Sequence, residues 1–378
     1  MRKSLLVLLI VSLAAPGLAD TQRTPVQVSV EQLEQTLTSA HGMPDKQVAQ
    51  QLSTLELTER LSQLRRARLE ADLPGPAARQ ALATLADTSE FLDLPQADIP
   101  SKAMPDRAAQ TSLMALTRGY VMKTILKLPN FFATRETVNY EGVSANVGIS
   151  EVVSGKFEPL HEASHSGVTV LYRDNKELVA NGKGNSVTSK QLRTSGEFGP
   201  ILVTVLNDAA SGKVTWSHWE EGASGVMAVF HYAVPEQKSH YLVGSRSIEH
   251  ESEHDPAYHG EIAIDPADGS ILRLTVIAEE APKDPIVRAD LLVNYGPVEI
   301  GGVTYICPLK SVAFSVVRMV VQDLDFSTGV VLRSSLGLPR NYLNEVVFTQ
   351  YHLFRAETRI LAGNGEGPGA AAPASTPR

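Results

Sequence analysis

At Pro129 the spacing of apolar residues in this 378-residue chain changes from that of a helix to that of a strand, and the change divides what the two halves can fold into. Upstream, Leu33 and Leu37, Val48 and Leu52, then Leu57, Leu61, Leu64 and Leu69 recur every three to five residues. Starts at Ser29, Asp45 and Thr58, with breaks at Gly42 and Pro74-Gly75-Pro76, predict about four short helices between Val28 and Leu94. Their apolar stripes need a surface to bury against, so they form a small bundle or pack on the rest of the chain. A longer helix is predicted over Arg107–Leu128, with Leu113, Leu116, Tyr120, Ile125 and Leu128 on one side and Pro129 as its stop.

Downstream of Pro129 the period is 2. Candidate strands are Phe131–Tyr140, Val168–Arg173, Lys213–Glu220, Val226–Val234, His240–Ile248, Gly260–Asp265, Ile271–Glu279, Val287–Tyr295, Val303–Ile306, Ser311–Val321 and Val346–Phe354. That makes about eleven strands. Turns at Asp265–Gly269 and Gly301-Gly302 predict sequential antiparallel pairing. Leu272, Leu274, Val276 and Ala278 fall on one face, with Arg273, Thr275 and Glu279 on the other, the pattern of a sheet covered on one side. A single apolar helix, Phe198–Ala210, interrupts the series. The fold expected is α+β, an incomplete antiparallel β-barrel curled around that helix and preceded by a small all-α region. Its divisions are a helical region over 20–94, a Pro-rich linker over 95–106, a half-barrel domain over 107–360 and a Gly/Ala/Pro-rich disordered tail over 361–378.

Residues 1–19 carry Arg2-Lys3, an apolar stretch from Leu5 to Leu18 and small residues at Gly17 and Ala19, the layout of a cleaved signal peptide. Pro16 interrupts the apolar stretch, which falls short of the roughly 20 residues needed to span a bilayer. The expected location is therefore outside the cytoplasm, periplasmic or extracellular, with at most a peripheral membrane association. In such an oxidising setting Cys307, the only cysteine, allows no intrachain disulfide, and its strand-like context predicts a buried inert thiol. With 34 Lys+Arg against 42 Asp+Glu and no basic stripe, the chain is not built to bind nucleic acid.

Several structural motifs recur in a known plan. They include Leu128-Pro129-Asn130-Phe131, Ser195-Gly196-Glu197-Phe198-Gly199 and Tyr258-His259-Gly260-Glu261-Ile262-Ala263-Ile264-Asp265-Pro266. Ile271-Leu272-Arg273-Leu274 and Tyr295-Gly296-Pro297-Val298-Glu299-Ile300-Gly301-Gly302 complete the set. Over about residues 107–355 the chain resembles an uncharacterised family of bacterial secreted proteins, similar in plan to the periplasmic lipoprotein-carrier and sigma-factor-regulator superfamily. The resemblance implies an incomplete barrel around a helix that binds an acyl chain or a lipoprotein. No functional residue carries over with it. Trp216, Phe230, Tyr232 and Tyr241 either line such a groove or fill the sheet core.

Six of the ten histidines lie between His218 and His259, and His250-Glu251-Ser252-Glu253-His254 matches H-E-x-x-H. On a helix, His250 and His254 would share one face and chelate zinc, with Glu251 as base and His259 as a third ligand. The run lies between two strand candidates, with Pro256 close behind, so metal binding by a loop or a solvated polar loop stands beside catalytic zinc. Gly182-Lys183-Gly184-Asn185-Ser186 lacks P-loop spacing, and Ala223-Ser224-Gly225 fails the nucleophile-elbow pattern. Glu220-Glu221 and Glu279-Glu280 read as solvated strand ends.

The function expected is that of an exported, non-enzymatic protein binding a lipid, lipoprotein or hydrophobic peptide, with no cofactor. The alternatives are an envelope interaction scaffold or sensor with a protein partner on the N-terminal helices, and, last, a zinc hydrolase.

Overall fold

A computed structural model describes residues 24–124, 127–143, 157–174, 176–179, 199–223, 225–246, 251–281, 285–324 and 331–354. The predicted signal peptide and tail, Gly182–Ser186, Ser224 and His250 lie outside these. The first part contains β1 (Val26–Val28), α1 (Val30–Ser39), α2 (Asp45–Leu52), β2 (Leu55–Leu57), α3 (Gln63–Ala71) and α4 (Pro76–Ser89). Ser29 caps α1 in a reciprocal capping box with Gln32. The Asp45 carboxylate accepts from the free N–H groups of Ala77 and Ala78 at the start of α4, tying α2 to α4. The region is not purely helical, because β1 and β2 pair in parallel. Each is three residues long, too short to register as a period, and they meet only after the chain has folded back through α1 and α2.

A linking segment with a 3-10 turn at Gln96–Asp98 leads to α5 (Arg107–Thr124). The body then adds β3 (Phe131–Val143), β4 (Glu158–Arg173), β5 (Lys176–Val179), α6 (Pro200–Ser211), β6 (Lys213–Gly222) and β7 (Gly225–Val234). Next come β8 (Val243–Arg246), β9 (Glu251–His254), β10 (Tyr258–Ile264), β11 (Ile271–Ala278), β12 (Ile286–Ile300), β13 (Val303–Leu324) and β14 (Val331–Leu353). Ten of these strands form one antiparallel sheet in the order β5-β4-β3-β14-β13-β12-β11-β10-β7-β6, while β8 and β9 pair separately. The sheet is not a closed barrel; β5 and β6 are its edges, and α6 lies in the connection between them.

The strand count differs from the predicted series for local reasons. Val303–Ile306 and Ser311–Val321 are one strand, β13, whose register shifts opposite Asn294 and Tyr295. Pro308 and the shift at that point hide its continuity from a period-2 reading. The segment predicted over His240–Ile248 pairs with β9 outside the sheet, and β5 was too short to predict. Gly301 and Gly302, both at positive φ, make the predicted two-residue turn between β12 and β13.

Both faces of the sheet are covered, contrary to the one-sided pattern read on β11. Leu274 and Val276 face α6, but Arg273 and Thr275 on the opposite face are also buried, at 4% and 3% exposure. Leu272, beside a register shift, packs with Met227, Val229 and Ala263 and not with Leu274. The second cover is the helical region, whose Phe91 packs among Leu292, Phe314 and Leu343.

Gly260 shows how tightly the first face is built. A Cβ there would run into the Thr275 carbonyl oxygen and come within 3.0 Å of the Tyr232 hydroxyl. Its absence lets Tyr232 on β7 reach across β10 and donate to that carbonyl on β11 at 2.6 Å. Gly260→Ala should cost about 1–3 kcal/mol of stability through overpacking and loss of this bond, read as a lowered urea midpoint at unchanged slope.

Candidate functional site

Among the described residues, the apolar face of β6, β7, β10, β11 and β12 is a continuous hydrophobic surface that a short helix covers. Ala228, Phe230, Tyr232 and Val234 alternate along β7 and meet Tyr258, Ile262 and Ile264 of β10, Leu274 and Val276 of β11, and Leu291 and Val293 of β12. Onto this surface α6 places Ile201, Leu202, Val205, Leu206 and Ala209 at helical spacing. Leu113, Met114, Tyr120 and Val121 of α5 pack against the same cluster.

The sequence-predicted groove residues are all here. Phe230 and Tyr232 are fully buried, and Trp216 and Tyr241 are partly buried against the same cluster. Trp216 and Trp219 are three apart and would point to opposite faces of a regular strand. A register shift between Trp216 and His218 turns both toward α6, with ring centroids 4.8 Å apart. Trp219 donates its indole N–H to Ala103 O at 2.9 Å and lies under the Lys102 ammonium, so the linker is held against this end of the sheet. The face is filled: a depression of about 370 Å³ lies beside the C-terminal end of α6, at Gly212, Lys213, Pro235 and Lys238, and not beneath the helix.

One polar group stands in the α6 contact. The Asp208 carboxylate is buried and accepts the Tyr258 hydroxyl at 2.8 Å, the His240 backbone N–H at 2.9 Å and His240 Nδ1 at 2.7 Å. Three donors offset the desolvation of this charge. The bond to Asp208 raises the His240 pKa, so the His240 side of the charged contact is present below that raised value and fades as pH rises through it. Sequence reasoning passed over Asp208. A single Asp between Asn207 and Ala209, near the end of an apolar helix, carries no motif.

The opposite face carries a buried ionic set. Glu220 on β6 is bound by two arginines, Arg60 of the helical region at 2.7 Å and Arg273 on β11, which grips both carboxylate oxygens. Glu261 on β10 joins at 3.6 Å from Arg60 and 3.3 Å from Arg273, and His218 Nε2 lies 3.3 Å from Glu220. Burial raises the Glu220 pKa, but Arg273 first, then the hydrogen bond to His218 and the charge of Arg60, outweigh it and hold the carboxyl well below the usual carboxylate range. Glu220 is thus not a solvated strand end, because Arg60 arrives from 160 positions away to cover it. Glu280 is not one either; its side chain is enclosed and its carboxylate lies 2.8 Å from His254 Nε2. A second set joins α4 to β13 and β14, with Lys310 Nζ at 2.8 Å from both Asp87 oxygens and from Glu345. Burial pushes the Asp87 carboxyl up to about 6 against the opposing pull of Lys310.

Within the histidine-rich run Glu251–His254 form β9, and His250 lies outside the described residues. A strand does not place residues four apart over one another, so β9 does not have the helical spacing on which the H-E-x-x-H reading rests. His254 turns to Glu280, and His259, on β10, to Glu279 at 3.2 Å. Among the described residues no group of three or more His, Cys, Asp or Glu is arranged to hold a metal ion. Cys307 is buried, and burial pushes its thiol up to about 12, the inert state the sequence predicted. No family model, curated protein or solved structure matches the chain.

Two measurements check the ionic sets. Glu220→Gln leaves two buried arginines with Glu261 as their one remaining counter-charge in the set and should cost about 3–5 kcal/mol in denaturant unfolding. For Asp87 the native carboxyl binds its proton more tightly than the unfolded one, so stability should fall as pH rises from the ordinary value of 3.8 to about 6. Asp87→Asn should flatten that interval of the stability–pH curve.

Proposed function

We propose that the chain is an exported, non-enzymatic binding protein whose open sheet is an incomplete barrel that takes an acyl chain, a lipoprotein or a hydrophobic peptide on the face now occupied by α6. The observation that supports this is the α6 contact itself. A short helix with five buried apolar side chains stands on the apolar face of β6, β7, β10, β11 and β12, where a hydrophobic ligand would lie. Its C-terminal half is fastened by one carboxylate, Asp208, to Tyr258 and His240. In this reading α6 is the ligand's stand-in in the unliganded state, and binding exchanges one apolar occupant for another.

A second reading is favoured by the complete packing of that face. Here the sheet is a filled scaffold, and the helical region, fixed across the other face by Arg60 and Asp87, presents a surface to a protein partner. The strand geometry of β9 lends nothing to the zinc hydrolase alternative.

The two readings part on one experiment. Delipidated mature protein is titrated with a fluorescent medium-chain fatty acid while Trp216 and Trp219 emission is followed. Asp208→Ala and the milder Tyr258→Phe remove hydrogen bonds to a charged group, so on the ligand-exchange reading both should tighten binding, by about tenfold for Asp208→Ala. Loss of stability with no saturable binding in the parent or either variant would leave the scaffold reading.

A further inference from the structure

The helix α5 has a solvent face whose chemistry differs from the rest of the chain. Thr117 and Val121 are buried, and Leu113, Met114 and Tyr120 turn toward the core beneath α6. At about 100° per residue the outward arc runs from Arg107 and Arg118 on one flank, across Thr111, Met122, Ala115, Ala108 and Ser112, to Lys123 on the other. All eight are exposed, Met122 at 56%. The sequence of α5 contains no acidic residue, in a chain where Asp+Glu outnumber Lys+Arg by 42 to 34. Asp106 caps the helix by accepting the Ala109 N–H at 2.8 Å, and Asp268 accepts the Ser270 N–H within its turn.

We infer that this face of α5 docks the protein onto an anionic lipid surface. Cations flanking a ridge of small side chains and one methionine are arranged so that their charged ends reach headgroup phosphates while Met122 enters the boundary between headgroup and acyl chain. The charge complementarity is local, since the net charge of −8 would repel the same surface if it acted as a whole. No helix among the described residues is long and apolar enough to cross a membrane, so the contact is peripheral. This inference stands independently of whether the sheet takes a ligand, because α5 would dock whether or not α6 is displaced.

The test uses the full mature chain and flotation with vesicles of phosphatidylcholine alone or mixed with phosphatidylglycerol. Binding is expected only to the mixed vesicles and should weaken as salt is raised. The triple variant Arg107→Gln, Arg118→Gln, Lys123→Gln should lose on the order of a hundredfold in partitioning, at about fivefold per removed cation. Met122→Asp should weaken binding without touching a cation, and Lys46→Gln, on the exposed side of α2, should leave it unchanged. No binding to mixed vesicles, equal binding to both kinds, or equal loss in Lys46→Gln and the triple variant would each overturn the proposal. Unchanged circular dichroism of the variants confirms that the exposed positions are tested in folded protein.

Discussion

The Arg60–Glu220–Arg273 set is the contact on which the layered arrangement depends. A carboxylate from the edge strand β6 and a guanidinium from β11 would stand on an open face if the helical region were absent, and they would be solvated. Arg60 closes over them, and burial then makes the set directional: two arginines balance Glu220 and Glu261, and a change in any one leaves an uncompensated charge. Hydrophobic packing of Phe91 among Leu292 and Phe314 brings the layers together without specifying register. The ionic contacts, with Asp87 on Lys310 and Gln80 on Tyr140, fix where the helical region sits across the strands from β3 to β6.

The two faces of the sheet are therefore held by different physics. On one, α6 and α5 are packed by apolar contacts with a single buried carboxylate, Asp208, as the polar anchor. On the other, the helical region is locked by charge. Apolar contact is non-directional and one apolar occupant can substitute for another, whereas a buried ion pair must keep its partners. This asymmetry is why a ligand is placed on the α6 face in the proposed function, and why the helical region is treated as a fixed layer.

The candidate site was only partly legible in advance. Trp216, Phe230, Tyr232 and Tyr241 all gather at the α6 face: Phe230 and Tyr232 because β7 alternates without interruption, Trp216 from β6 and Tyr241 from the segment before β8. Trp219 was missed because the register shift after Trp216 reverses its side, and a shift of that kind leaves no periodic trace. Adjacent acids at strand ends are usually solvated, which is how the sequence alone presents Glu220 and Glu280. Their partners come from distant points of the chain, Arg60 in the first case and His254, two strands and a turn earlier, in the second. H-E-x-x-H was the sharpest motif in the sequence, yet its meaning depends on helical spacing, and Glu251–His254 is a strand.

Local periodicity and turn chemistry alone determined the class of the protein. The change of period at Pro129, the apolar run of α6 between Gly199-Pro200 and Gly212, and the Gly301-Gly302 turn each act within a few residues, so α+β character and antiparallel pairing follow from the chain itself. The number of strands in the sheet, the parallel β1–β2 pair, the covering of the second face and the burial of Glu220 and Asp208 were decided only in the folded molecule. Each depends on groups far apart in sequence meeting in a water-poor environment, where the energy of a charge or a hydrogen bond is set by its partners and not by its own residue type.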